Sequence, residues 1–414
     1  MTLTKSRYQV ESNKIVIFGA GRIGRSFIGQ LFGCNGYKVE FVDINSEIVK
    51  VLNKKGSYRI IIRREKDEEI IVPNVHAIDA SDEKKVAEAV ATAGIMAISV
   101  GRNAVGKVIP GIASGLKLRY VHCHDSPLDI ILAENMRSAK EFVQRLLREK
   151  LPENYPFEKL VGLVETSIGK MVPIMTQAEL EKDPLLIFAE PYNTLILDRR
   201  GFKSAIPDIK ELAPKDNMKA WVDRKAFIHN LGHATAAYFG FYKHPEITYL
   251  SEIFNDREVC DFTREVMLQS ADLLCHAYPQ EFTKADLESH ADDLIYRFRN
   301  KALRDTVFRV GQDLIRKLGP DDRFMGAIHL AIKVVKPYDK IIKAMTYGFY
   351  FKARDEAGRY YEPDVKFLTE LSKDFELTLT QHLGLNTPED QKIITELFGL
   401  YKKLSKADQY RTGV

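Results

Sequence analysis

Lys14 to Phe18 (KIVIF) is a short, nearly all-apolar run that stops at glycine, the pattern of a central strand buried on both faces of a parallel sheet. Val39 to Val42 repeats the pattern and closes on Asp43, and Gly94 to Val100 (GIMAISV) repeats it again and closes on Gly101. Between these runs the period changes. Arg22 to about Phe32, Ser81 to Ala93 with a helix-start serine, and Val105 to Gly115 carry helical spacing, so buried strand alternates with amphipathic helix. That alternation predicts an α/β domain with a doubly wound parallel sheet. Tyr58 to Arg63 and Glu69 to Val72 flank the charged turn REKDEE and predict a hairpin added to the sheet. Ser126 to Met136 (SPLDIILAENM) reads as a turn, a buried strand and the polar pair Glu134-Asn135 ahead of a helix. Lys159 to Thr166 and Leu185 to Leu197 are strand-like runs expected to extend the sheet, and Pro207 to Asp216 reads as a connection. After Asn217 the spacing turns helical, with Asp256 to Tyr278, Thr283 to Arg299, Ala302 to Leu318 and Thr387 to Leu404 as the main elements. Residues 1–205 are therefore expected to form the sheet domain and residues 206–414 a mainly α-helical domain, with the catalytic cleft between them.

Composition narrows the functional classes. Hydrophobic residues make up 45% and charged residues 29% of the 414, ordinary values for a soluble globular enzyme. Basic side chains number 61 against 57 acidic, so the net charge of +4 provides no general field for nucleic acid or a membrane surface. An anionic ligand must then be held by local groups. The four cysteines, Cys34, Cys123, Cys260 and Cys275, lack the density and spacing of a disulfide or zinc framework, which favours free thiols in a reducing cytoplasm. No apolar signal core and no run of about 18 apolar residues is present, so an unexported protein is expected, a monomer or weak oligomer acting on a small molecule.

The glycines after the first strand sharpen the picture. Gly19, Gly21 and Gly24, in the loop Gly19-Ala20-Gly21-Arg22-Ile23-Gly24, give the full G-x-G-x-x-G spacing between a strand and a helix. The first glycine makes a tight turn, the second admits a pyrophosphate and the third lets helix and strand pack closely. Free N–H groups at the helix start favour the anion. Asp43 ends the second strand about 20 residues on, where an acid bonds the ribose hydroxyls and repels a 2′-phosphate, so the expected cofactor is NAD rather than NADP on a Rossmann-type sheet. Ligands of such sheets lie beyond the carboxyl ends of the strands, which places Ser99, Val100 and Gly101 along the cofactor site. Asn135, at another strand end, donates and accepts hydrogen bonds without titrating and suits a group facing a developing alkoxide. His122 and His124 share a face if Arg119 to Asp125 is extended, but no further ligand cluster has metal spacing, so no metal is expected.

Asp223 to Gly240 (DRKAFIHNLGHATAAYFG) carries the remaining candidate chemistry. At about 100° per residue, Lys225, Asn230 and His233 fall at roughly 0°, 140° and 80°, and His229 falls at roughly 40° inside the same sector. All can face one cavity. The same segment is rich in Gly and Ala, so close helix packing explains the pattern equally well.

Taken together, IVIFGAGRIGRSFIG, FVDIN, SPLDIILAENM, VGLVETSIGKMVP, the K-x4-N-x2-H arrangement of Lys225, Asn230 and His233, and RVGQDLIRKL resemble the polyol-specific long-chain dehydrogenases over nearly the whole length. The resemblance implies a metal-independent, NAD-dependent enzyme oxidising a hexitol or its phosphate, with a hexitol 1-phosphate and fructose 6-phosphate the expected pair. It makes Lys225 the general base, Asn135 and Asn230 the oxyanion-stabilising pair, and His233 the residue orienting the substrate hydroxyl. Relatives carry V-D-R where this chain has Ile168-Gly169-Lys170, and phosphate-using relatives carry RVGRxPxRKL where it has Gln312 and Leu314. Arg309, Arg316 and Lys317 remain as phosphate contacts on this reading, or as a solvated helix face. The rival readings are an unphosphorylated hexitol 2-dehydrogenase or hexuronate reductase, and a non-catalytic NAD-binding regulator.

Overall fold

The computed structural model describes residues 8–412 apart from Glu65, His124, Asp125, Asn135 and Arg137, with side chains described as far as residue 405. Its contacts divide the chain into two units, Met1–Val222 and Asp223–Val414. The junction expected at 205/206 lies inside the first unit.

The first unit is built on an eight-stranded sheet. Its strands are β1 (Glu11–Phe18), β2 (Lys38–Asp43), β5 (Val75–Asp79), β6 (Ala93–Ile98), β7 (Leu128–Leu132), β8 (Val161–Ser167), β10 (Leu195–Asp198) and β11 (Leu212–Lys215). They lie in the order β11-β10-β8-β7-β6-β1-β2-β5, and every pairing is parallel except β10 with β8. Both faces are covered. Ile15, Ile17, Phe41 and Ala97 enter one apolar cluster, while Val16, Phe18, Val42 and Met96 enter the other, as the two-residue period of a strand requires. A strand buried on both sides needs apolar residues at every position, which is why these runs were legible as strands.

Several expectations need correction. The hairpin β3 (Tyr58–Ile62) and β4 (Glu68–Val72) pairs with β9 (Ile187–Ala189) in a separate three-stranded sheet, so only part of Leu185 to Leu197 extends the main one. The stretch read as a connection contains β11, an edge strand that tolerates Pro214 because one side of its ladder is unused. Arg119 to His122 is not extended. It completes the helix Val105–His122, held there by the buried Arg119 guanidinium, which donates to the carbonyls of Ala91, Ala93, Ser126 and Pro127. His122 thus leaves the strand geometry that a pair with His124 required, and His124 lies outside the described residues. The helix before β6 begins at Glu83 with Asp82 rather than Ser81 as its cap.

The second unit is helical. Arg257–Ala277 and Lys284–Phe298 start at the capping side chains of Asp256 and Thr283. The helix expected over Ala302 to Leu318 is broken into Lys301–Leu303, Val307–Gly311 and Leu314–Lys317. The first break follows Arg304, whose φ of 51° is left-handed, and the second is at Asp313, φ 73°, where the buried Asp364 carboxylate takes the N–H groups of Asp313 and Leu314 at 2.8 Å each. A tertiary carboxylate supplies the acceptors that a continuous helix would have used. Among the described residues no helix is long and apolar enough to cross a membrane.

Candidate active site

Each unit carries one cluster of candidate chemistry. In the first, the chain turns at Gly19 with φ 98°, and a Cβ there would stand 2.5 Å from the Ser99 carbonyl oxygen. A Cβ on Gly24 would stand 1.9 Å from the Gly19 carbonyl oxygen, whereas one on Gly21 would meet nothing within 4 Å. Two glycines are thus demanded by the loop's own packing, and the third leaves the side open where a pyrophosphate approaches. Ser99 Oγ donates to the carbonyls of Phe18 and Gly19 at 3.1 Å, tying β6 to the turn. The loop is also braced from below, because buried Arg25 donates to the Ala20 and Leu185 carbonyls at 2.7 and 2.6 Å.

Asp43 stands at the end of β2. Its Oδ2 accepts from the Ala20 N–H at 2.7 Å and its Oδ1 from the Asn45 N–H at 2.8 Å. A carboxylate offers about four lone-pair sites, so acceptor capacity remains for a ribose hydroxyl. At the neighbouring strand end, Gly101 has φ 86° and donates its N–H to Glu134 Oε1 at 2.9 Å. Burial pushes the Glu134 carboxyl up, against the N–H groups of Gly101 and Val100. Arg22 and Ile23 open the helix, which widens into a π turn over Gly24–Gly29 before Gln30–Gly33. Asn135 lies outside the described residues. These features fit a dinucleotide.

Lys170, where the sequence departs from its relatives, is buried in the same unit. Its ammonium donates to Gln30 Oε1 at 2.9 Å and Asn193 Oδ1 at 2.7 Å, and it sits 5.3 Å from the Phe27 ring centre. Burial brings its pKa to about 7, with Glu190 opposing. Gly169 beside it leaves ordinary contact distance to Tyr192.

The second cluster is organised by a π turn. Lys225–Asn230 is π-helical and continues into the α-helix Leu231–Lys243. An α-helix splays residues five apart by roughly 140°, whereas a π turn closes its hydrogen bond between such residues and brings them nearer one side. The distortion therefore gathers Lys225 and Asn230 where regular periodicity separates them. The close packing suggested by the small residues is also present, since a Cβ on Gly232 would meet Met267 Sδ at 2.4 Å.

Burial, and then the nearby Arg323 charge, lower the Lys225 pKa to about 8, with Asp322 pulling the other way. His229 is buried among Phe298 and His233, and burial together with Arg297 holds it well below its ordinary value. A base with so acidic a conjugate acid accepts protons poorly, so Lys225 is the better match to neutral pH. His233 stacks on Phe298 with ring centres 4.6 Å apart. Its Nε2 is 3.3 Å from Asp305 Oδ2, within ion-pair reach but not aligned for a hydrogen bond, and burial outweighs Asp305 to leave its pKa lowered. His233 Nε2, Asp305 Oδ2 and Arg309 Nε are all buried with no hydrogen-bond partner among the described residues. Buried polar atoms are rarely left so, and each exception calls for a ligand, water or strain to explain it.

The expected phosphate contacts differ from one another. Arg309 pairs through Nη2 with Asp305, leaving Nε unused. Arg316 is shared between Asp313 and Asp322. Lys317 is buried, donates to the Val310 carbonyl at 2.5 Å, and burial holds its pKa well below the usual lysine value. Sequence reasoning missed Asp305, Asp322, Arg323 and Phe298. Asp305 and Arg309 have helical ion-pair spacing, a signal that was available, while Asp322-Arg323 sit in a turn without periodicity.

Comparison with known proteins covers both units of the chain. Residues 13–211 match the family model described as the mannitol dehydrogenase Rossmann domain, and residues 217–386 match the mannitol dehydrogenase C-terminal domain. The mannitol-1-phosphate 5-dehydrogenase of Geobacillus stearothermophilus is 34% identical over 314 residues, covering 75% of this chain and 80% of its own. That of Geobacillus thermodenitrificans is 30% identical over 399 residues, covering 95% and 99%. Among solved structures, D-sorbitol dehydrogenase in substrate-free form superposes with a TM-score of 0.74 at 17% identity, covering 94% of each chain. The Pseudomonas fluorescens mannitol 2-dehydrogenase ternary complex with NAD and D-mannitol gives 0.70 at 15%, covering 98% of this chain and 93% of that one. These two support the fold, and with both halves of the sequence matched in order by the family models, the chain belongs to the mannitol dehydrogenase family.

Proposed function

We propose that the protein catalyses the reversible NAD-dependent oxidation of mannitol 1-phosphate to fructose 6-phosphate, with Lys225 as general base and no metal. The observation that carries this reading is the Lys225 amine, brought to a pKa of about 8 on a π turn whose following helix carries His233, with unsatisfied atoms on His233, Asp305 and Arg309, in a chain whose relatives at 30–34% identity bear that activity's name. NAD, when bound, supplies the hydride acceptor. Gly19, Ala20, Gly21, Arg22, Ile23 and Gly24 hold its pyrophosphate, Asp43 its ribose, and Val100 and Gly101 line the site. Lys225 takes the hydroxyl proton, the Asn230 amide with Asn135 donates to the oxygen as negative charge builds, and His233 orients the hydroxyl. Asp305 and the Nε–H of Arg309 complete the polar partners for a polyhydroxylated, anionic substrate, with Arg316 and Lys317 as further phosphate contacts. On the same reading the enzyme works in the cytoplasm as a monomer or weak oligomer.

The test is the pH profile of NAD reduction by mannitol 1-phosphate in EDTA-treated enzyme. Oxidation needs the neutral amine, so kcat should rise with pH and level off above about 8, while ketone reduction, which needs the protonated form, should fall over the same range. An oxidation rate still climbing at pH 10 would mean an unshifted lysine and would remove Lys225 as the tuned base.

Asp43 tests the cofactor assignment. Asp43→Ala should raise KM for NAD and narrow the preference over NADP, because the ribose acceptor and the charge repelling a 2′-phosphate disappear together. Binding of both cofactors should also weaken somewhat, since the Ala20 N–H loses its acceptor. Parent enzyme that already prefers NADP would show the assignment to be wrong.

One observation favours a second reading, oxidation of the unphosphorylated hexitol. Arg309 and Arg316 are already paired with carboxylates, and Lys317 is buried against a carbonyl. Relative efficiency on mannitol and its 1-phosphate separates the two.

A further inference from the structure

Arg323 is buried in the turn that precedes the helix Met325–Lys333. Its Nε donates to Asp322 Oδ1 at 2.8 Å, its own backbone N–H donates to the same oxygen at 2.7 Å, and its Nη1 donates to the Asn230 carbonyl at 3.2 Å. Asp322 Oδ2 in turn takes Arg316 Nη1 at 3.2 Å. The guanidinium is therefore clamped at one end by a carboxylate and grips, at the other, the last residue of the π turn that begins at Lys225. A buried charge is expensive unless paired, and a second cation beside a buried lysine adds repulsion in a poorly screened setting. A neutral amide could hold the Asn230 carbonyl at lower cost, so the retained charge calls for a use.

We infer that Arg323 is a positioning residue for the Lys225 base, bracing the Asn230 end of the π turn that begins at Lys225 and setting its own positive charge in that turn's neighbourhood. This rests on the reading of Lys225 as base. The charged and titratable groups set against Lys225 include Asp322 and Arg323 from this turn and His229 on its own helix, with Arg316 behind Asp322. Asp322 opposes the effect, and His229 is held neutral by burial. Among these groups Arg323 is a positive charge that one substitution removes.

The experiment compares Arg323→Gln and Arg323→Lys by the pH profile of kcat for polyol phosphate oxidation, with NAD binding measured on each. Gln keeps a donor for the Asn230 carbonyl but no charge, so the inflection should move up, each unit lowering activity at pH 7 about tenfold while activity at high pH is recovered. Lys keeps the charge and should hold the inflection near that of the parent, whatever it does to the maximal rate. An unmoved inflection in Arg323→Gln overturns the inference even if the rate falls, because loss of packing alone lowers activity at all pH values alike. Should the Gln variant fail to fold, the Lys variant decides: a retained inflection with NAD still bound supports the inference and a displaced one overturns it. Failure of the underlying reading is distinguishable, since it would show as turnover surviving in Lys225→Ala.

Discussion

Lys225→Ala is expected to lower turnover by about 10²–10⁴ while NAD still binds, because removal of the hydroxyl proton must accompany hydride departure and a positioned base contributes about that factor. The loss should fall on kcat in both directions, since the same group returns the proton in reduction. Small primary amines should restore part of the rate, because the side chain leaves a space that a free amine can enter. Turnover near that of the parent in Lys225→Ala, with loss in His229→Ala instead, would move the base one side chain along. The electrostatics argue against that outcome. Burial and Arg297 hold His229 neutral and weakly basic, whereas burial and Arg323 bring Lys225 to about 8. A melting curve on the Ala variant guards against misreading an unfolded protein as an inactive one.

Free mannitol is expected to be a poorer substrate than mannitol 1-phosphate by at least about tenfold in kcat/KM for each charge-assisted hydrogen bond that the phosphate makes, since such a bond contributes about 1.5–3 kcal/mol. Arg309→Gln should remove most of that difference, because of the three candidates it is Arg309 that has a buried N–H, at Nε, with no partner among the described residues. The substitution also strips Asp305 of its paired cation and should cost stability. Comparing the two substrates within one variant cancels that cost, so the ratio is the quantity to read. Equal efficiency on the two substrates in the parent enzyme would remove the phosphate reading and favour the free hexitol.

Wherever function depends on backbone path alone, local sequence was sufficient. Gly19, Gly21 and Gly24 announce the turn because no other residue fits the first and third positions, and the apolar runs announce the inner strands because burial on both faces allows nothing else. Lys225, Asn230 and His233 could be placed on one helix from their local spacing, with Lys225 and Asn230 roughly 140° apart on a regular wheel. What stayed hidden depends on partners distant in the chain. Asp364 breaks the helix at Asp313 from about 50 residues away, and Arg119 extends its own helix by bonding carbonyls of two flanking segments. The edge strand β11 is four residues long and contains Pro214, too little to show a period, and only pairing with β10 makes it a strand. The π turn is invisible to a wheel drawn at a constant angle, yet it brings Asn230 toward Lys225. The basicity of Lys225 is likewise no property of the residues beside it in sequence. It is decided by burial and by the charges of Asp322 and Arg323, nearly a hundred residues downstream, because electrostatic energy follows distance in space and the exclusion of water.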